Sequence, residues 1–377
     1  MTLALFGNHF ATLTDPRVKR TRRHIFTEIL TIILCATMCG AEGWEDIERW
    51  AICKKEFLKS RLGLEFPGGI PSDDTFRRLM GRIDPKMLQK CFIEWAKSLQ
   101  DKLQQVIALD GKYLKGSEWA AEDQHPLIMV SAWAADSRLV LGQIKTDVKS
   151  NEITAVPLLL DLLDIEGCVI TTDAMSTQRD IVRKIVGRKA DYLLPVKGNQ
   201  PGLLQAMELC FDHAIEQKWE EIPHDYYSET QLSHGRNVTR YCWQIDLSTR
   251  GDLWSDKQKE WRGLSSIIKI VRERRYGEKI TEETCYYISS LAGSAKKALD
   301  VSRQHWGIEN KVHWVLDVVL NEDGCQIHKD HAPENLATMR HIILNLMRQK
   351  KIKGLSIRKK VKVAGWDDDF LFDILKN

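Results

Sequence analysis

Apolar residues recur at helical spacing through the first hundred positions, and then the pattern switches to short unbroken runs. Ile25, Ile29, Ile32, Ile33 and Ala36 mark one helix. Trp44, Ile47, Trp50, Ala51 and Phe57 give a second, amphipathic helix over 45–59. After the loop Pro67–Gly68–Gly69–Ile70–Pro71, Ser72 followed by Asp73 and Asp74 predicts a helix start, because acids suit the positive end of the dipole. That helix carries Arg77, Arg78 and Arg82, and Pro85 opens another that runs past Trp95. An all-helical N-terminal domain over 1–103 follows, with arginines available for DNA or protein contact.

From Val106 the runs read as strands. Val106–Ile107–Ala108–Leu109 ends in Asp110–Gly111–Lys112, and Val169–Ile170–Thr171–Thr172 ends in Asp173–Ala174. A strand buried on both faces tolerates an acid only where the acid is paired or reaches a cavity or metal. An aspartate at a strand end also starts turns, and one alone would fit either role. Two further runs, 127–133 and 139–144, flank Asp136–Ser137 as a hairpin. A helix follows over 151–163 with Pro157 inside it, then the Asp173 strand, a helix over 177–186 and a strand over 192–196. Three meandering strands, helix, strand, helix, strand is the order of a ribonuclease-H-like α/β layer with a mixed sheet and flanking helices. Alternation over 226–232, 238–245, 266–272 and 283–289 predicts a β-rich insertion at 206–290, with His234–Gly235–Arg236 at one of its turns. That α/β layer is therefore expected in two pieces, 104–205 and 291–347, followed by a basic C-terminal tail over 348–377.

Helical periodicity returns after Ala295. Ile308, Val312, Val315 and Val319 form a buried stripe, which puts Glu309 at its edge, in line with His305, His313 and Asp317 at i+4 spacing. Such a glutamate can simply be solvated; it can also meet Asp110 and Asp173 across a cleft.

Composition changes little in this picture. The chain has 377 residues, 43% hydrophobic and 28% charged, enough for more than one domain with a sizeable core. The net charge of +3 hides basic clusters at Arg17–His24, at Arg272–Arg275 and from Arg348 onward, which suggests a polyanion on one face. Nine cysteines stand singly, and Cys35–Cys39 has no second pair with zinc-finger spacing, so reduced packing residues are expected. The apolar run 29–39 is too short to span a bilayer and residues 1–9 lack a signal pattern, so the expectation is a cytoplasmic, nucleoid-associated protein with no membrane partner.

The motifs Leu109–Asp110–Gly111–Lys112, Thr172–Asp173–Ala174 and His305–Trp306–Gly307–Ile308–Glu309–Asn310 resemble the three acidic motifs of DDE transposases from bacterial insertion sequences. The similarity is closest to the subgroup of the H-repeat-associated proteins. Asp15–Pro16–Arg17, Gly43–Trp44 and Pro71–Ser72–Asp73–Asp74–Thr75–Phe76 resemble its associated N-terminal domain, and Tyr192–Gln200 and His234–Gly235–Arg236 extend the match. One departure stands out. Ser302, His305 and Leu316 occupy positions where wider relatives carry Tyr, Arg and Lys, leaving Arg303 and Lys311 as substitute phosphate contacts.

The resemblance implies that Asp110, Asp173 and Glu309 are catalytic and hold two Mg²⁺ ions about 3.5–4 Å apart, with Mn²⁺ able to substitute. Water would cut one strand at the element's end, and the freed 3′-OH would join target DNA. Lys112, Lys197, Arg236, Arg303, His305, Trp306 and Lys311 are the expected DNA-binding residues, Trp306 by stacking on an unpaired base or else as a core residue. Double-stranded DNA, as terminal inverted repeats and target, and a homodimer on that DNA are the implied partners. A ribonuclease-H-like nuclease without strand transfer and a non-catalytic DNA-binding remnant are the rival readings.

Overall fold

The structure, a computed structural model, describes residues 8–100, 105–118, 126–146, 152–220, 222–233, 236–247 and 251–376. The N-terminal helices are α1 (Phe26–Met38), α2 (Trp44–Cys53), α3 (Lys55–Ser60), α4 (Asp73–Arg82) and α5 (Pro85–Ser98). The helix expected over 45–59 is thus two, broken at Lys54, where the backbone leaves helical geometry. Asp84 caps α5 by accepting from the Lys86 amide, with Pro85 in the first turn.

A single nine-stranded sheet follows, in the order β3-β2-β1-β4-β5-β9-β8-β7-β6. Its strands are β1 (Val106–Leu114), β2 (Leu127–Ala134), β3 (Leu139–Lys145), β4 (Val169–Thr171), β5 (Asp191–Val196), β6 (His224–Ser233), β7 (Arg236–Asp246), β8 (Ser266–Tyr276) and β9 (Lys279–Ser289). β1, β4 and β5 run parallel, and β2 and β3 form a hairpin on the outer side of β1. The crossovers are helices α6 (Glu152–Leu162) and α7 (Arg179–Gly187), as parallel pairing demands. The four strands of the β-rich stretch do not stack as a separate sheet. β9 pairs with β5 along Leu193–Val196, so they extend the same sheet. That stretch also contains two helices, α8 (Pro201–Glu216) and α9 (Gly251–Glu260).

Side-chain alternation along β1 divides the core between the two faces of the sheet. Ile107 and Leu109 pack with α6, α7 and α8. Ala108 points the other way, into a cluster that joins the N-terminal helices to α10 (Ala295–Ile308), a π-helical turn (Glu309–His313), α11 (Trp314–Val318) and α12 (Ala332–Gln349). Within the stretch read as a basic tail, 348–377, the described residues form α13 (Ile357–Trp366) and α14 (Asp368–Leu375), because Ala364, Leu371, Ile374 and Leu375 complete that cluster. Lys360 is buried there, its Nζ donating to the Met347 and Lys350 carbonyls at 2.6 and 2.5 Å at the end of α12. No helix among the described residues is long and apolar enough to cross a membrane.

Candidate active site

The sheet register brings the first two acids together. β1 and β4 pair in parallel only as far as Ala108 opposite Thr171. Asp110 and Asp173 each lie two residues beyond that last pair, so they occupy equivalent positions where the strands part. Crevices at the carboxyl ends of parallel strands are where open α/β sheets bind ligands. β1 does not stop at the acid, as its glycine suggested. It continues to Leu114, paired with β2 through Asp110 opposite Ser131. By period two, Asp110 shares the face of Ala108, toward α10. Asp173 lies in the turn after β4, where its Oδ1 accepts from the Ser176 amide at 3.0 Å.

A fourth acid, absent from the sequence reading, completes the cluster. Glu152 opens α6, and its carboxylate lies directly over Gly111. A β-carbon there would fall 1.9 Å from its Oε1, so any other residue would push the carboxylate out of this position. Burial, then the Glu152, Asp173 and Glu309 charges, push the Asp110 carboxyl up to about 7, against one lowering contact from the Gly111 amide. Burial and then Asp173 push Glu152 to about 7 as well. An acid at the head of a helix is so ordinary that nothing in its local sequence distinguishes Glu152.

The third predicted acid arrives at the end of α10. Ile308, Val312 and Val315 are buried as the stripe required, and α10 packs across β1. Glu309 begins the π-helical turn and is exposed, with its charge reaching Asp110. One residue more per turn widens the backbone here, a feature common at functional sites. His313 closes the same turn and faces Asp110, its Nδ1 3.4 Å from Oδ2. Burial, with Lys112 and His341 nearby, lowers His313 to about 4, so at neutral pH it is uncharged. Among the described residues, no three His, Cys, Asp or Glu side chains stand together as a ready-made cation site.

The expected DNA contacts divide. Lys112 is a correction. Its ammonium is 2.6 Å from Asp317, 2.8 Å from Glu322 and 3.3 Å from Asp323, and its side chain is only 9% exposed, so it neutralises protein carboxylates rather than phosphate. His305 is a second correction. Its Nδ1 meets the Thr171 hydroxyl at 3.0 Å, and burial lowers it to about 4, leaving a neutral ring that holds α10 on β4. Arg236 begins β7, but its side chain, with His234 and Gly235, lies outside the described residues.

Lys197 is exposed at the end of β5, and Lys311 is exposed in the π-helical turn. Arg303 is 37% exposed and bonds Glu229 at 2.7 Å and Gln231 at 3.1 Å on β6. Trp306 is a surface residue, half exposed, with the Arg272 guanidinium 5.9 Å from its ring centroid. Arg303 and Trp306 line a cavity of about 280 Å³ between α10 and the outer strands, together with Arg240, Arg272, Tyr287 and Asn310. Glu283, paired with Arg272, also lines the cleft.

The chain is similar to known proteins. A family model described as Transposase DDE domain matches residues 101–346, and one described as DDE_Tnp_1-associated matches residues 7–96. The "H repeat-associated putative transposase YhhI" of Escherichia coli (strain K12) is 38% identical, covering 100% of this chain and 98% of the relative. The "Putative transposase YncI" of Escherichia coli O157:H7 is 38% identical over 97% of this chain and 93% of its own length. Among solved structures, a piggyBac transposase synaptic complex with hairpin DNA aligns over 99% of this chain and 78% of that one, with 10% identity and a TM-score of 0.43, too low to carry an argument. The chain belongs to the Transposase DDE domain family of bacterial insertion sequences, among the H repeat-associated transposases.

Proposed function

We propose that this protein is a DNA transposase that cuts one strand at each end of its element and joins the freed 3′-OH to target DNA. The observation that carries this reading is the register. Asp110 and Asp173 stand at equivalent positions past the last parallel pair, with the Glu309 charge reaching the first of them. The strand order, with a hairpin beside three parallel strands, supports a ribonuclease-H-like layer built from 104–205 and 291–347, with 206–290 as its β-rich insertion.

Oxygen donors of Asp110, Asp173 and Glu309 fit a hard divalent cation, and the raised carboxyls of Asp110 and Glu152, both at about 7, fit a site short of positive charge. These residues would hold two Mg²⁺ ions, or Mn²⁺, which supply an activated water and neutralise charge at the phosphate. Glu152, across Gly111, would keep the site acidic from the opposite face of the sheet. Neutral His313 would orient Asp110. Lys197, Arg303, Trp306 and Lys311 would contact the DNA, with the 280 Å³ cavity taking an unpaired nucleotide beside the cut. The N-terminal helices over 1–103 and the last helices would recognise the element's end, on a homodimer working in the cytoplasm at the nucleoid.

The test is an assay with purified full chain, Mg²⁺ and duplexes carrying the repeats that flank its gene. Cleavage followed by a joined product is expected. Cleavage alone would favour a nuclease without strand transfer. Bound but uncut DNA would favour a non-catalytic remnant.

A stability prediction follows from the acids alone. A carboxyl with a raised folded-state pKa binds its proton more tightly folded than unfolded. Stability is therefore full below the unfolded value and falls as pH rises toward about 7. In EDTA, the free energy of unfolding should drop by on the order of 2–4 kcal/mol between pH 5 and pH 8. Mg²⁺ should restore much of it, and Asp110→Asn should flatten the profile in EDTA. Urea denaturation across that range checks this; a flat wild-type profile in EDTA would contradict the cluster.

A further inference from the structure

Three basic side chains converge on the catalytic helix away from the acids. Lys311 follows Glu309 by two residues, which on a helix is roughly 200° around and so nearly opposite. Arg348, in the last turn of α12, lays its guanidinium 4.3 Å from the centroid of the Trp133 ring. One of its amino groups donates to the Lys311 carbonyl, and the other, Nη1, is buried with no hydrogen-bond partner. Trp133 is itself fixed, fully buried under Gly307, where a β-carbon would come within 3.1 Å of its Nε1. Arg138, exposed at the β2–β3 turn, brings a third charge close enough to act on both Arg348 and Lys311. Among the described residues, no carboxylate lies within ion-pair distance of any of the three.

Cations gathered without an acid repel one another, and burying one of them adds desolvation. Lys112, Arg17 and Arg272, by contrast, all have carboxylate partners. A bound anion removes the cost here. Arg348, stacked on Trp133 with its Nη1 buried, supplies a fixed positive charge behind the site, while the exposed Arg138 and Lys311 side chains are free to contact the anion. An open site of this kind suits an anion that is part of a long surface ligand rather than an enclosed small molecule. We propose that Arg138, Lys311 and Arg348 form a binding site for the phosphodiester backbone of duplex DNA, separate from the catalytic acids. This rests on the reading of the protein as a DNA transposase.

The test uses the full chain and a fluorescent mixed-sequence duplex without divalent cations, with affinity measured against salt. Arg138→Gln/Lys311→Gln alters two exposed side chains and leaves the packed Arg348 in place. Loss of two phosphate contacts should make the slope of log K against log salt shallower by roughly 2, and weaken low-salt binding by about 10–100-fold. Lys189→Gln/Lys259→Gln removes two exposed lysines already paired with Glu166 and Asp256, and should leave the slope unchanged. An unchanged slope for the first variant, or an equal change for both, overturns the site while the transposase reading stands. Failure of the wild-type chain to bind the duplex at all defeats the transposase reading itself, and this site with it.

Discussion

Asp110→Asn is expected to abolish Mg²⁺-dependent strand cleavage, by about 10³-fold or more, while duplex binding stays within a few-fold of wild type. Asp173→Asn and Glu309→Gln should do the same, and combining any two should cost little beyond either alone, because residues that act as a unit are not additive. Asp110 carries the largest effect. It feels all three of its acidic neighbours, and neutralising it removes the charge around which they are collected. Single-turnover cleavage of an end duplex, alongside binding in EDTA, measures both quantities. Substantial cleavage by Glu309→Gln would remove the helix acid from the chemistry and point to Glu152 as the third carboxylate. Glu152→Gln is therefore the informative companion: a loss as large as that at Asp110 would make it part of the reacting set, whereas a modest loss would assign it to tuning Asp110 across Gly111.

Lys112→Met should be the most destabilising of the surface-like substitutions, by about 3–5 kcal/mol, although lysine two residues from a catalytic acid invites a role in catalysis. The Lys112 ammonium neutralises Asp317, Glu322 and Asp323, and Glu322 is only 3% exposed. Removing the cation leaves buried negative charge whose remaining partner, Arg340, stands 3.9 Å away. The double change Lys112→Met/Glu322→Gln should recover a good part of the loss, as replacing both members of a buried pair is cheaper than orphaning one. Urea unfolding of the two variants decides this. Wild-type stability for Lys112→Met, together with weakened DNA binding, would return Lys112 to the phosphate contacts.

Lys112 also illustrates which readings are local and which are not. Asp110 and Lys112 lie on one face of β1 by strand alternation, yet their surroundings differ because the partners of Lys112 sit 210 residues further along the chain, after the catalytic helix. His305 was misread for the same reason. Its place in the motif resembles that of a phosphate-binding arginine, but Thr171, 134 residues earlier, turns it into a half-buried link between α10 and β4. Arg303 and Trp306, by contrast, point to the surface cleft as their spacing allowed, since one helix positions both.

Features set by neighbours along the chain were legible in the amino-acid sequence. Apolar runs ending in Asp110 and Asp173 marked two strands and their acids. The i, i+4, i+7 stripe through Ile308, Val312 and Val315 set which side of the catalytic helix is buried. The order of strands and helices from Val106 to Val196 likewise followed from pattern and turn chemistry. Tertiary structure alone decided how these pieces meet. It extended the sheet through β9 rather than closing a separate insertion, folded the basic end into the N-terminal core, and widened the helix at Glu309. It also brought Glu152 over a glycine to make a fourth acid. The physical reason is that periodicity encodes which face of an element is buried, whereas the charge partner of a buried group depends on which distant element packs against that face.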